Sequence, residues 1–211
     1  MPELVSVNVA EPRTLERNGE LVRTGIWKFP VDGRVAVRGV NVDGDEQADR
    51  SVHGGRDKAV YAYPREDLDW WEGQLGRDLA HGTFGENLTT RGLDVTAARV
   101  GERWRIGGVL LEVSEPRMPC WKLAWRMEDA FFPRRFTRAG RPDAYLRIVE
   151  EGELGAGDRV KVVDRPPHEV SVGVLVEAYV RDRSLAPRIL EADALSDQWR
   201  SWASKHAPTQ A

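Results

Sequence analysis

From Glu3 to Val163 the sequence is a succession of short β-prone runs cut by glycine, proline or Asp-Gly, and this punctuation limits the chain to folds made of many short strands. Glu3–Val9 sets Leu4, Val5, Val7 and Val9 against Ser6 and Asn8, the alternation of a first strand, which Pro12 ends. Thr24–Val37, broken at Pro30 and Asp32-Gly33, predicts a hairpin or two short strands. Lys58–Tyr63 predicts a strand followed by a helix to about Leu75, with Pro64 in its first turn and Leu68, Trp71 and Leu75 on one face. Residues 81–90 form a loop. Val100–Ile106 and the strand through Leu110, Leu111 and Val113 make a hairpin across Gly107-Gly108.

A helical stretch from Trp121 ends near Phe132-Pro133, and Asp143–Val149 and Gly155–Val163 read as further strands. Few helices interrupt these runs, so the expectation is a mainly β barrel or sandwich rather than a βαβ fold. Asp164–His168 carries a proline pair that excludes regular structure. Beyond it, Val172, Leu175, Val176, Tyr179 and Val180 fall at helical spacing. Ser184 and Ser196 are expected to cap two short helices, Leu185 to about Ala192 and Asp197–His206. The domain reading is therefore a β domain over 1–163, a linker over 164–168 and a three-helix segment over 169–207. That segment is too small to hold a core alone and is expected to pack on the β domain or on a second subunit, which leaves a homodimer open.

The chain has 211 residues, 41% of them hydrophobic and 31% charged, which suits a soluble globular protein. Its net charge of -3 argues against a nucleic-acid backbone as specific partner. No apolar run reaches the roughly 20 residues a bilayer crossing needs, so no membrane association is expected. The N-terminus lacks the apolar core of a secretory signal, and a single cysteine forms no internal disulfide; both fit a cytoplasmic location.

Three loops compete for function. In the first, Cys120 follows a strand stopped by Pro116 and Pro119, with Arg117 and Lys122 close in sequence. A nearby cation favours the thiolate, the form that attacks electrophiles or binds soft metals; an inert buried cysteine is the plainer alternative. In the second, His53 precedes Gly54-Gly55, with Arg56 and Lys58 after it. Glycine amides and cations suit an anion, but the spacing is that of neither a Walker loop nor a dinucleotide fingerprint, and a plain tight turn with solvated charges is the favoured alternative. In the third, Phe84-Gly85-Glu86-Asn87 puts a carboxylate and an amide on a turn, either for a heterocycle edge or for capping its own backbone. A thiol hydrolase would need His53 or His81 beside Cys120. One cysteine and scattered histidines exclude a zinc motif.

Taken together, DRSVHGGRDKAVY (49–61), GTFGENLT (82–89) and EVSEPRMPCWKL (112–123) resemble the MOSC domain family in its YiiM-like branch, in the family's order. The tail resembles the three-helix segment of that branch. The resemblance implies a MOSC-type β-barrel that binds the molybdenum cofactor (molybdopterin), with Cys120 as the ligand on molybdenum; pyridoxal phosphate is not expected. It makes His53, Lys58, Arg117, Lys122 and the Gly54-Gly55 amides candidates for pterin or phosphate contacts. Gly85, Glu86 and Asn87 become candidates for the pterin edge or for bracing the cysteine loop.

By the same resemblance the activity is reduction of N-hydroxylated compounds, such as hydroxylaminopurine-type base analogues, to amines, a detoxification. His53 or Glu86 would protonate the departing oxygen. No flavin, haem or iron–sulfur motif is present, so electrons must come from a separate electron-transfer reductase. Two other readings remain: a sulfur carrier or cofactor-handling module with a persulfide on Cys120, and a non-catalytic interaction protein using exposed Trp199 and Trp202.

Overall fold

The structure, a computed structural model, describes residues 1–47 and 54–208. Strands β1 (Glu3–Ala10), β2 (Arg13–Arg17), β3 (Glu20–Thr24), β4 (Lys28–Val31), β5 (Arg34–Arg38) and β6 (Asn41–Val42) come first. A 3-10 turn at Arg56–Lys58 leads into β7 (Val60–Pro64), helix α1 (Arg65–Leu75) and β8 (Leu88–Arg91). Next come the hairpin β9 (Arg103–Ile106) and β10 (Val109–Pro116), then helices α2 (Trp121–Met127) and α3 (Phe132–Ala139). Strands β11 (Ala144–Glu150), β12 (Gly152–Gly155) and β13 (Val160–Asp164) precede helices α4 (Val172–Val180), α5 (Ala186–Ile189) and α6 (Asp197–His206).

Among the described residues the main sheet has eight strands in the order β13-β9-β10-β11-β7-β8-β1-β4. Its pairs are antiparallel except β7 with β8, whose crossover carries α1, as a parallel pair requires. β1 has two partners on one edge. Its C-terminal half pairs with β4, while Leu4 donates to the Asp158 carbonyl at 2.8 Å and Val160 to that of Pro2 at 3.0 Å. The sheet thus curls until its first strand meets the lead-in to its last. Leu4, Val7, Val60, Leu88, Trp104, Leu111 and Leu146 fill the interior and exclude water, the main stabilising term. The architecture is mainly β with few helices, as expected.

Two further apolar clusters set the helices. Tyr63, Trp71, Phe84, Phe132 and Phe136 interlock where α1, α2 and α3 cover one end of the sheet. Val100, Leu175, Ile189, Leu195 and Trp199 join the C-terminal helices to the sheet's loops. The tail therefore packs on the β domain of its own chain.

Several local expectations need correction. Of the two alternatives for Thr24–Val37, two short strands form, since β4 joins β1 and β5 joins β6 and β12. Pro133 opens α3 instead of ending a helix, because its missing N–H costs nothing in a first turn. Asp182, not Ser184, caps the helical turn at Arg183–Leu185, accepting from the Ser184 amide at 3.0 Å. Ser196 does cap α6. Trp199 is only 4% exposed and belongs to the core, so it offers no docking surface.

Candidate functional site

β10 stops at Pro116, and the chain crosses to α2 through Arg117–Cys120, leaving Cys120 extended (φ -124°, ψ 178°) and half-buried just before the first helical turn. An open cleft of about 90 Å³ lies beside it. Arg117, Lys122, Lys58, Gly85 and Asn87 line this cleft with Cys120, so the fold brings together residues from all three sequence loops. Among the described residues no group of three or more His, Cys, Asp or Glu could hold a metal ion. Cys120, the chain's single thiol, stands there as a soft donor without such a cluster.

Arg117 is 6% exposed. Its Nη2 donates to the Phe84 carbonyl at 3.3 Å, and its guanidinium lies 5.6 Å from the Tyr61 ring and 5.9 Å from that of Phe136. Its Nη1 is buried with no hydrogen-bond partner. A buried guanidinium nitrogen is costly to leave unpaired, so an anion that reached it from the cleft Arg117 lines would be stabilised. Lys122 is equally buried, with its ammonium 5.8 Å from the Trp121 ring. Lys58 Nζ lies 3.5 Å from Glu115 Oε1 and 3.2 Å from Gln198 Oε1, and burial pushes the Glu115 carboxyl up from its ordinary value.

Sequence reasoning missed Lys28 and Asp45. They form an ion pair on the cleft wall, with Asp45 also accepting from the Ala10 amide at 2.7 Å and from Asn87 Nδ2 at 2.8 Å. Burial lowers the Lys28 ammonium's pKa and Asp45 opposes the shift. No local pattern marks this pair, since β4 and the turn after β6 meet only in the fold. Asn87 is the joint: its Oδ1 accepts from the Tyr61 amide at 3.1 Å while its Nδ2 holds Asp45. Gly85 has φ +90°, and a Cβ there would lie 3.1 Å from Ile26, so glycine is required.

Other candidates fall outside the cleft. Glu86 is fully buried behind its wall, and its carboxylate accepts from the amides of Gly82 at 2.6 Å and Phe84 at 3.0 Å and from Thr89 Oγ1 at 3.3 Å. Burial raises its pKa and these donors oppose the rise. With both oxygens engaged by its own loop, Glu86 braces that loop and does not line the cleft. Ser6 and Asn8 of β1 are buried beneath the same loop, Asn8 donating to the Glu86 carbonyl at 3.2 Å. Gly54 and Gly55 do not line the cleft, and the Gly55 amide is taken by Gln47 Oε1 at 3.1 Å. His81 is not at the cleft, so it is no base for Cys120. His53 lies outside the described residues.

Behind the cleft, the Tyr61 hydroxyl donates to Asp143 Oδ2, and burial holds the Asp143 carboxyl well above the usual carboxylate range. Tyr145 lines the cleft, and burial likewise raises its phenol, which keeps its proton at neutral pH.

The sequence pattern of the MOSC domain matches residues 49–161. The chain is 36% identical to an uncharacterized Bacillus subtilis protein, YflK, over 94% of this chain and 91% of that one. It is 30% identical to the YiiM protein of Escherichia coli over 83% and 81%. A Gibberella moniliformis protein called Reductase shares 35% identity over 82% of this chain, which spans only 31% of that longer one. Among solved structures, YiiM from Geobacillus stearothermophilus superposes with a TM-score of 0.81 at 31% identity, covering 99% of this chain and all of that one. No helix among the described residues is long and apolar enough to cross a membrane. Fold, order of the three loops and full-length kinship agree: the chain belongs to the MOSC domain family, among the YiiM-like proteins.

Proposed function

We propose that the cleft binds the molybdenum cofactor and that the protein reduces N-hydroxylated compounds, such as hydroxylaminopurine-type base analogues, to amines with electrons from a separate reductase. MOSC domains as a family are associated with that cofactor. The observation that carries the reading is the pairing of a thiol at the cleft with a buried guanidinium nitrogen that has no partner. A pterin dithiolene with a phosphate offers the complement of both: a soft metal for Cys120 and an anion for Arg117, with Lys58 and Lys122 at the same cleft. When bound, the cofactor supplies a two-electron couple that side chains lack.

The chain's own residues bind, orient and handle protons. Phe84's carbonyl accepts from Nη2 and holds Arg117 at the cleft wall, where its buried Nη1 is left to be paired by an anion. The Asn87–Asp45–Lys28 chain keeps the opposite wall rigid. Cleavage of an N–O bond takes up electrons and protons and releases water, so a proton donor at the departing oxygen lowers the barrier. Tyr145 lines the cleft in its protonated form and is one candidate for that role; His53, outside the described residues, is the other candidate the sequence offers. Where the electrons enter is suggested by the fungal relative called Reductase, in which the stretch matched here is a minor part of a longer chain.

Protein purified from a cofactor-competent host should carry molybdenum and pterin in stoichiometric amount, and Cys120→Ser should lose both metal and reduction. Metal-free wild-type protein from such a host would overturn the reading. Mass spectrometry showing a labile extra sulfur on Cys120, with no reduction by metal-loaded protein, would favour the sulfur-carrier reading instead.

A further inference from the structure

Among the described residues the tail reaches a residue of the cleft at Lys58. The 3-10 turn Arg56–Lys58, which carries a cleft cation, is tied to the C-terminal segment directly through Gln198 of α6 and indirectly through Arg147 of β11. Gln198, in the first turn of α6, accepts from Lys58 Nζ at 3.2 Å. One residue earlier, Asp57 is paired with Arg147 Nε at 2.6 Å, and the same guanidinium donates through Nη1 to the Ala194 carbonyl at 2.8 Å. Arg147 is 8% exposed and also reaches Glu112 of β10 at 3.0 Å, so sheet, turn and tail are tied through one buried side chain. On the other flank Glu115, 3% exposed, receives the Lys58 ammonium at 3.5 Å and a hydrogen bond from Ser196, the cap of α6.

Lys58 thus has a carboxylate, Glu115, and a neutral amide, Gln198, among its partners. The choice of an amide matters. A carboxylate in place of Gln198 would add a further negative charge beside the ammonium and oppose an incoming anion, whereas an amide oxygen orients the ammonium without adding charge.

We infer that the C-terminal helical segment is a working part of the anion-binding cleft, with Gln198 as a positioning residue that holds Lys58 for an incoming phosphate or pyrophosphate group. This deepens the cofactor reading and rests on it for the natural ligand, but not for the anion chemistry. The helices thus contribute to binding directly, beyond covering apolar surface at Val100.

The test is calorimetric titration of the full-length protein, prepared without cofactor, with inorganic pyrophosphate, alongside thermal unfolding of each variant. The wild type is expected to bind. Gln198→Ala should weaken binding about threefold and Gln198→Glu about tenfold, with unfolding temperatures close to wild type, because Gln198 contributes little to the core. Gln198→Asn, which keeps the amide on a shorter arm, should fall between wild type and Gln198→Ala. A purely structural contact would make Gln198→Glu, nearly isosteric and able to pair with Lys58, the mildest of the three. Equal affinity in all variants, that reversed order, or no pyrophosphate binding by the wild type overturns the inference. Pyrophosphate binding with the expected order, in a protein that carries no molybdenum from a competent host, would sink the cofactor reading and leave the role of the tail standing.

Discussion

The Gly82–Asn87 loop and the Arg117–Lys122 loop border one cleft, yet they dispose of their polar groups in opposite ways. In the first, Glu86 spends both carboxylate oxygens on amides and a hydroxyl of its own neighbourhood, and Asn87 ties Tyr61 to Asp45. In the second, Arg117 is as buried as Asn87 but keeps a guanidinium nitrogen without a partner. A satisfied buried group contributes stability, whereas an unsatisfied one costs it and needs a reason. The first loop is thus scaffold and the second is site, although the two look equally chemical as sequence.

This contrast breaks most sharply at two positions. Cys120→Ser should lower reduction at least about a hundredfold, some 2.8 kcal/mol in transition-state terms, and lose bound metal while leaving the unfolding temperature unchanged. Retained activity would show that the thiol is a bystander. Glu86→Ala should do the reverse. By stranding the buried Gly82 and Phe84 amides it should destabilise the fold by about 3 kcal/mol in urea unfolding, with residual folded protein still reducing substrate. Loss of activity without loss of stability would return Glu86 to the catalytic machinery.

What the sequence revealed follows the reach of its signals. The β9–β10 hairpin, α1 and the Ser196 cap were legible because period, turn and cap chemistry are local. The β2–β3 hairpin was missed despite Asn18-Gly19, where both residues take positive φ, because its strands are polar and mostly exposed and show no alternation. Cys120, Arg117 and Lys58 could be singled out within their loops, but that they share a cleft is a property of β7, β10 and β11 lying side by side. Lys28 with Asp45, and Gln198 with Lys58, join residues far apart in sequence, and no spacing rule reaches that far.

The contrast sharpens at Arg117. Arg117→Met keeps much of the stem's volume and removes a desolvated charge only partly paired by the protein, so stability should stay within about 0.5 kcal/mol of wild type. Retention of pterin and metal should fall about tenfold, or some 1.4 kcal/mol, read by pterin fluorescence and elemental analysis after dialysis. A large fall in stability with retention intact would place Arg117 with the scaffold.

The smallest effect is at Asp143, a buried acid on the site side of the contrast that resembles the scaffold side. Tyr61 donates to its Oδ2, while its Oδ1 has no partner and burial raises its pKa. An acid whose folded pKa lies above the unfolded value of about 3.9 binds its proton more tightly when native. Its favourable contribution is complete below the unfolded pKa and is lost as pH rises through the folded one. Asp143→Asn mimics the protonated form and can still accept from Tyr61. The variant should therefore gain on wild type by on the order of 1 kcal/mol between pH 5 and pH 8 in urea unfolding. A parallel pair of stability curves would mean that Asp143 already ionises normally in the folded protein, and that the space behind the cleft is wetter than its burial indicates.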